Sequence, residues 1–177
     1  MKSQIARSLG AAALVLAATG AQAQESTNQV AVVSDWSVFT EPATGKPKEC
    51  WAVTKPKSSE ASRDGKPVSA SRSDILLWIT FRAGEGGKGE VSFTGGYPYK
   101  TDSNVTFEID GEAHTLFTVG ETAWTSGPDQ DAKLIAALKK GSTAVVTGVS
   151  GRGTETKDTL SLRGVTAAIE DAAKRCQ

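Results

Sequence analysis

Short runs with the composition of β-strands, divided by turn signals, constrain the fold of this chain most. The clearest run is residues 75–81, ILLWITF, which is short, rich in β-formers and almost unbroken. Such a run is typical of a central strand with both faces covered. Other strand-like runs are residues 30–39, 50–53, 91–94, 105–109, 116–118, 143–149 and 156–162. Turn residues recur about every eight to twelve positions, which favours a β-sandwich or barrel-like domain.

Two segments change to the period of an amphipathic helix. Residues 128–141 carry an apolar stripe of Leu134, Ile135 and Leu138. The tail, residues 159–176, carries a longer stripe that ends in a cysteine, and its members are Val165, Ala168, Ile169, Ala172, Ala173 and Cys176. We therefore expect two short helices, the second of which packs inward and presents a thiol to the core.

Residues 1–23 have the features of a secretory signal peptide. A basic start precedes an apolar run that is too short to span a bilayer, and Ala21-Gln22-Ala23 is a small-x-small cleavage site. We expect a mature chain, residues 24–177, that forms a single domain with no transmembrane segment. An uncleaved membrane anchor is the alternative.

The net charge limits the kinds of partner. The whole chain has 20 basic and 20 acidic side chains, and removal of Lys2 and Arg7 leaves 18 basic ones. This balance lacks the basic excess that is typical of nucleic-acid binding, so we expect no nucleic-acid partner.

The chain contains only two cysteines, Cys50 and Cys176. Two cysteines in an exported chain most often form one disulfide, because the compartment is oxidising. Two free buried thiols and a redox pair are the alternatives, although the Cys-x-x-Cys spacing of redox pairs is absent. A disulfide would tie the C-terminal helix to the first third of the chain.

Residues for catalysis or metal binding are few. The single histidine, His114, lies on a predicted strand beside the Asp110-Gly111 turn and is interpreted as an exposed strand residue. A hydrolase or other enzyme that uses His114 with the carboxylates of Glu108, Asp110 and Glu112 is the alternative. No GxSxG elbow is present, and these carboxylates lack the spacing of a calcium loop. We predict no catalytic residue, cofactor site or metal site.

Two polar segments are candidate surface features. Residues 56–73 contain one large aliphatic side chain, so we expect an exposed loop with a hairpin-like tip at Asp64-Gly65. Tyr97, Tyr99 and Lys100 follow two glycines, and aromatics with a cation on such a corner suit partner recognition. The alternative is that one tyrosine closes the end of the sandwich and the other is incidental.

Several features occur together in an order that resembles the invasion-associated locus B (IalB) family of exported bacterial proteins. They are a signal peptide, an early Trp36, the segment ECWAV around Cys50, the YPYK corner before a short strand and an Asp-Gly turn, and the tail DTLSLRGVTAAIEDAAKRC. The similarity covers most of the mature chain and is sharpest at the tail.

The resemblance implies a single immunoglobulin-like antiparallel β-sandwich, export to the periplasm or outer envelope, and a disulfide between Cys50 and Cys176. It carries over no catalytic residue and no cofactor. The family is named for a role of some members in host-cell invasion. We therefore expect a non-enzymatic envelope or secreted protein that binds a protein or surface partner and contributes to invasion or envelope integrity.

Overall fold

The structure, a computed structural model, describes residues 28–177, so the predicted signal peptide lies outside the described residues. The elements in chain order are β1 Gln29–Val33, β2 Trp36–Glu41, β3 Glu49–Thr54, β4 Ser58–Arg63, β5 Lys66–Pro67, β6 Leu76–Arg82, β7 Gly89–Thr94, β8 Asn104–Ile109, β9 Glu112–Val119, β10 Thr122–Trp124, α1 Pro128–Lys140, β11 Thr143–Val149, β12 Glu155–Ser161 and α2 Val165–Arg175. This mainly antiparallel β structure with two helices is consistent with a β-sandwich and confirms the predicted fold class.

The strands form one continuous ladder in the order β1-β2-β3-β6-β7-β10-β9-β8-β11-β12-β4-β5. The ladder folds over itself. The rings of Phe93 in β7 and Phe107 in β8 lie 5.5 Å apart, whereas three strand steps of a flat sheet span about 14 Å. The indole of Trp36 in β2 also donates to the carbonyl of Ser161 in β12 at 3.2 Å. The two halves of the ladder therefore face each other around one core.

Strand β6 buries one face only. Leu77, Ile79 and Phe81 point into the core, while Leu76 and Trp78 lie half-buried on the outer face. The prediction of a strand covered on both sides was therefore wrong. The helices pack on the core side of the sheet, so the outer face of β6 remains partly exposed to solvent.

Helix α2 lies against β1, β2, β3 and β6 through its predicted apolar stripe. Cys176, just beyond the helix, forms a disulfide with Cys50 of β3, and their Cα atoms are 5.9 Å apart. A loop of this length constrains the unfolded chain by about 4 to 5 kcal/mol in the chain-entropy account. The disulfide therefore attaches the end of the chain to an early strand.

Helix α1 is attached to the sheet by a buried carboxylate. Asp131 accepts hydrogen bonds of 2.8 Å from the amide of Val91 in β7 and from the hydroxyl of Thr125.

The two helices have 13 and 11 residues. In residues 28–177 neither helix is long and apolar enough to cross a bilayer.

Two local predictions need correction. Residues 30–39 form a hairpin rather than one strand, because Ser34 takes a φ of 55° and reverses the chain between β1 and β2. The polar segment 56–73 is exposed and has its turn at Asp64-Gly65 as predicted, but β4 within it also pairs with β12.

Candidate functional site

The corner that follows β7 begins with a glycine that the packing requires. Gly96 has a φ of +73°, and a Cβ atom there would lie 2.5 Å from the carbonyl oxygen of Ser73. The amide of Ser73 donates to the carbonyl of Gly96 at 2.9 Å. Only glycine fits this left-handed conformation and close approach. The corner is thus held against the segment that precedes β6.

A buried ion pair lies behind the corner. Arg72 donates through both terminal nitrogens to the carboxylate of Asp158 in β12, at 2.7 and 2.6 Å. The two side chains are only 8% and 1% exposed. Arg72 also donates through Nε to the carbonyl of Gly95 at 2.7 Å. This bidentate, fully engaged geometry is the kind that offsets the desolvation of two charges.

The ion pair and a hydroxyl fix the ring of Tyr97. The guanidinium carbon of Arg72 lies 5.1 Å from the centre of that ring, within the range of a cation–π contact. The hydroxyls of Tyr97 and Thr156 share a hydrogen bond of 2.5 Å. Burial raises the pKa of Tyr97, and the hydrogen bond with Thr156 opposes that change. Tyr97 is therefore neutral and oriented at ordinary pH.

The other two predicted partner-binding residues take different positions. Tyr99 is 7% exposed and packs edge to face against Tyr97, with ring centres 5.0 Å apart. Burial raises the pKa of Tyr99 strongly. Lys100 is exposed. The structure therefore brings the two tyrosines together, places Tyr99 behind Tyr97 as a support, and leaves the side chain of Lys100 outside.

A cleft of about 470 Å³ opens beside Tyr97, and we call it the corner cleft. It is lined by Arg63, residues 69–73, residues 96–98, Glu121, residues 150–152 and Thr154.

Exposed cations outnumber acids at the corner cleft. Arg63 donates to the hydroxyl of Thr154 at 2.7 Å and remains accessible, as does Arg152. Glu121 is the acidic residue among the lining side chains, and Asp158 lies behind them, neutralised by Arg72. The cleft therefore offers arginines, hydroxyls and one fixed aromatic ring to a partner that carries hydrogen-bond acceptors or acidic groups.

Sequence reasoning missed Arg72 and Asp158. Asp158 lies between Thr156 and Leu160 at the inward-facing positions of β12. A carboxylate at an inward-facing position needs a buried partner, so the alternation along β12 indicates that Asp158 has one. The identity of that partner depends on a contact between residues 86 positions apart.

His114 does not take the exposed position that we expected. The two-residue turn at Asp110-Gly111 places His114 opposite Phe107, on the core side of β9, and its side chain is 12% exposed. Glu112 lies 3.7 Å away and is largely exposed, whereas Glu108 points to the opposite face of the sheet. Glu112 therefore shares the side of β9 with His114 and Glu108 does not, and among residues 28–177 His114 does not form a cluster with two carboxylates.

Among residues 28–177, no group of three or more His, Cys, Asp or Glu side chains is arranged to hold a metal ion.

Comparison with known protein families shows which family this chain matches. The family described as Invasion associated locus B (IalB) protein matches residues 36–173, from the start of β2 into α2. This range includes Cys50, the corner cleft and α1. Comparisons with curated proteins and with solved structures found no match.

Proposed function

This chain belongs to the invasion associated locus B family, and from that membership we propose a non-enzymatic envelope or secreted protein that binds a protein or surface partner through the corner cleft. The proposal includes no cofactor and no catalytic residue. In it, the protein contributes to host-cell invasion or to the integrity of the envelope.

Family membership and the Cys50–Cys176 disulfide both support export, since disulfides persist in oxidising compartments. The proposed destination is the periplasm, the outer envelope or the medium, reached after removal of residues 1–23 as a signal peptide. The mature chain, residues 24–177, is proposed to act as one domain.

The observation that carries the binding proposal is the immobilised ring of Tyr97. Arg72 lies over one part of the ring and Thr156 holds its hydroxyl, so the side chain is oriented before any partner arrives. A pre-oriented aromatic side chain loses little conformational freedom on binding, which favours affinity. Arg152 next to it adds an accessible donor for acceptor groups of the partner.

The test is capture of partners from envelope extracts and from host-cell membranes on the immobilised protein. The double variant Tyr97→Ala, Arg152→Ala should lose the captured species, while Lys133→Ala on the exposed side of α1 should retain it. Tyr99 is left unchanged because it is part of the core. Equal capture by a folded double variant would remove the corner cleft as the binding site.

A further inference from the structure

A second surface of the sheet carries aromatic side chains that the core does not bury. Cross-strand pairing places Val53, Trp78, Ser92, Trp124 and Phe117 in one row on the outer side of β3, β6, β7, β10 and β9. Phe39 and Trp51 form a second row beside it, with their rings stacked at 5.6 Å. We call these two rows the aromatic face.

The side chains of the aromatic face are partly exposed to solvent, and they adjoin one another across neighbouring strands. Trp78 and Trp124 are half-buried, and Phe117 is 45% exposed. Ser92 points outward between the two indoles and is nevertheless buried, because the indoles flank it on both sides. Three of the four tryptophans of the chain lie on this face rather than in the core. Such a concentration of aromatic side chains on one surface is typical of binding sites.

The charges around the aromatic face balance one another. At one end Arg82 pairs with Glu49 and Glu90, at 2.9 and 3.1 Å. At the other end Lys57 and Arg163 pair with Asp35.

One further pair, Lys55 with Asp74, lies at that second end. The four cations of these pairs match the four carboxylates, so the face has no charge excess for an ionic partner. Between the ends, Ser37, Thr80, Thr94 and Thr122 contribute hydroxyl groups.

The dimensions favour a narrow occupant. The row from Val53 to Phe117 crosses four strand steps, about 19 Å. Along the strands the apolar part of the face extends over about four residues, or about 13 Å. This is about 250 Å², well below the roughly 800 Å² per partner of a stable protein interface. The aromatic face alone therefore supplies less area than a stable dimer of this chain needs.

We propose that the aromatic face binds a neutral β-1,4-linked polysaccharide. A pyranose ring has an apolar C–H side that stacks on an indole and hydroxyl groups at its edge that bond to serine and threonine. Trp78 and Trp124 are two strand steps apart, about 10 Å, which two sugar units of an extended β-1,4-linked chain also span. A groove of about 520 Å³ beside Trp51 and Trp78 continues the surface.

The experiment uses the full exported chain and two soluble probes, the β-1,4-linked hexasaccharides of glucose and of N-acetylglucosamine. Isothermal titration should detect binding of at least one of them, equally at low and high salt because the face has no charge excess. The α-1,4-linked glucose hexasaccharide is the geometric control and should bind at least about tenfold more weakly, because its helical chain does not place successive rings at this spacing.

Substitutions of the two tryptophans test whether the hexasaccharides bind at the aromatic face. Trp78→Ala and Trp124→Ala should each weaken binding by about tenfold, since each removes one stacking ring. Trp78→Phe keeps a ring and should lose only about threefold, which separates loss of contact from loss of folding. Lys133→Ala should bind as the wild type does, because Lys133 is exposed on α1 and is not part of the aromatic face.

Three results would overturn the assignment. They are no binding of either β-1,4-linked probe, equal binding by the tryptophan variants, and a concentration-dependent dimer that Trp78→Ala dissociates. Partner capture through Tyr97 would survive each of them, so failure here is distinguishable from failure of the corner cleft.

Discussion

The corner cleft and the aromatic face both expose aromatic rings, but the two surfaces hold their rings in opposite ways. In the corner cleft a buried polar network orients Tyr97 through Arg72 and Thr156. On the aromatic face the strand pairing places Trp78 and Trp124 on the same side of the sheet.

The two surfaces therefore differ in whether a substitution mainly changes the stability of the fold or the binding of a partner. A substitution in the polar network leaves a buried charge or donor without its partner, so it weakens the fold together with the site. Phe117 on the aromatic face is 45% exposed, so its substitution should change binding more than folding.

Removal of Asp158 should have the largest effect. Asp158→Ala leaves the guanidinium of Arg72 buried without its carboxylate, and the free energy of unfolding should fall by about 3 to 5 kcal/mol. Urea denaturation measures this change. The matched control is Asp74→Ala, which breaks the exposed pair with Lys55 and should change stability by less than about 1 kcal/mol.

A double variant sharpens the same test. Arg72→Met with Asp158→Leu removes both charges and should regain most of the lost stability, because neither group is left unpaired. If Asp158→Ala were no more destabilising than Asp74→Ala, the polar network would not support the corner.

Gly96 should be the next most sensitive position of the corner. Gly96→Ala combines an unfavourable left-handed conformation with a clash against the backbone of Ser73, for an expected loss of about 3 kcal/mol. Gly153 has a similar φ of +75° and open space around it, so Gly153→Ala should lose only about 1 kcal/mol. Equal losses in thermal or urea unfolding would show that packing against Ser73 is unimportant.

Alkaline pH should lower the free energy of unfolding through the two tyrosines of the corner and not through the aromatic face. Burial raises the pKa of Tyr97 and of Tyr99, whereas an unfolded tyrosine ionises near pH 10, about its ordinary pKa. The folded state then holds more protons above that pH, so stability is complete below about pH 10 and declines as the pH rises further.

Urea denaturation at a series of alkaline pH values measures this decline. Tyr97→Phe should make it shallower, whereas Trp78→Phe should leave it unchanged because an indole does not titrate there. A wild-type stability that stays flat well above pH 10 would contradict the burial of these two hydroxyls.

The smallest effect on stability is expected at Phe117. Because its side chain is 45% exposed, Phe117→Ala should change the free energy of unfolding by less than about 1 kcal/mol. The same variant should weaken binding of the β-1,4-linked hexasaccharides by about threefold. A large loss of stability without a change in binding would assign Phe117 to the core rather than to a site.

Local patterns in the sequence were sufficient for much of the fold. The stripe of α2, the helix that ends before Gly141 and the Asp110-Gly111 hairpin each depend on neighbouring residues, and the structure contains all three. The turn at Ser34-Asp35 was missed because Ser and Asp are weaker turn signals than Gly or Pro, and the apolar alternation runs across them. The pairing of β4 was missed because its residues are polar on both faces.

Both surfaces depend on contacts that sequence periodicity does not specify. Arg72 lies in the irregular segment between β5 and β6, and Asp158 lies in β12, so their contact depends on the full topology. The aromatic face requires β10 to lie between β7 and β9, an order that differs from the order along the chain. Periodicity predicted which residues share a side of one strand, but not which strands are neighbours.

The separation of the two surfaces is tested most directly by a nuclear magnetic resonance titration of the ¹⁵N-labelled protein with the β-1,4-linked glucose hexasaccharide. The four tryptophans give four indole N–H signals. The account predicts shifts for Trp78 and Trp124, with no shift for buried Trp36 or for the amides of Gly96 and Gly151 at the corner cleft. Shifts at the corner amides, or unmoved signals of Trp78 and Trp124 at saturating ligand, would contradict it.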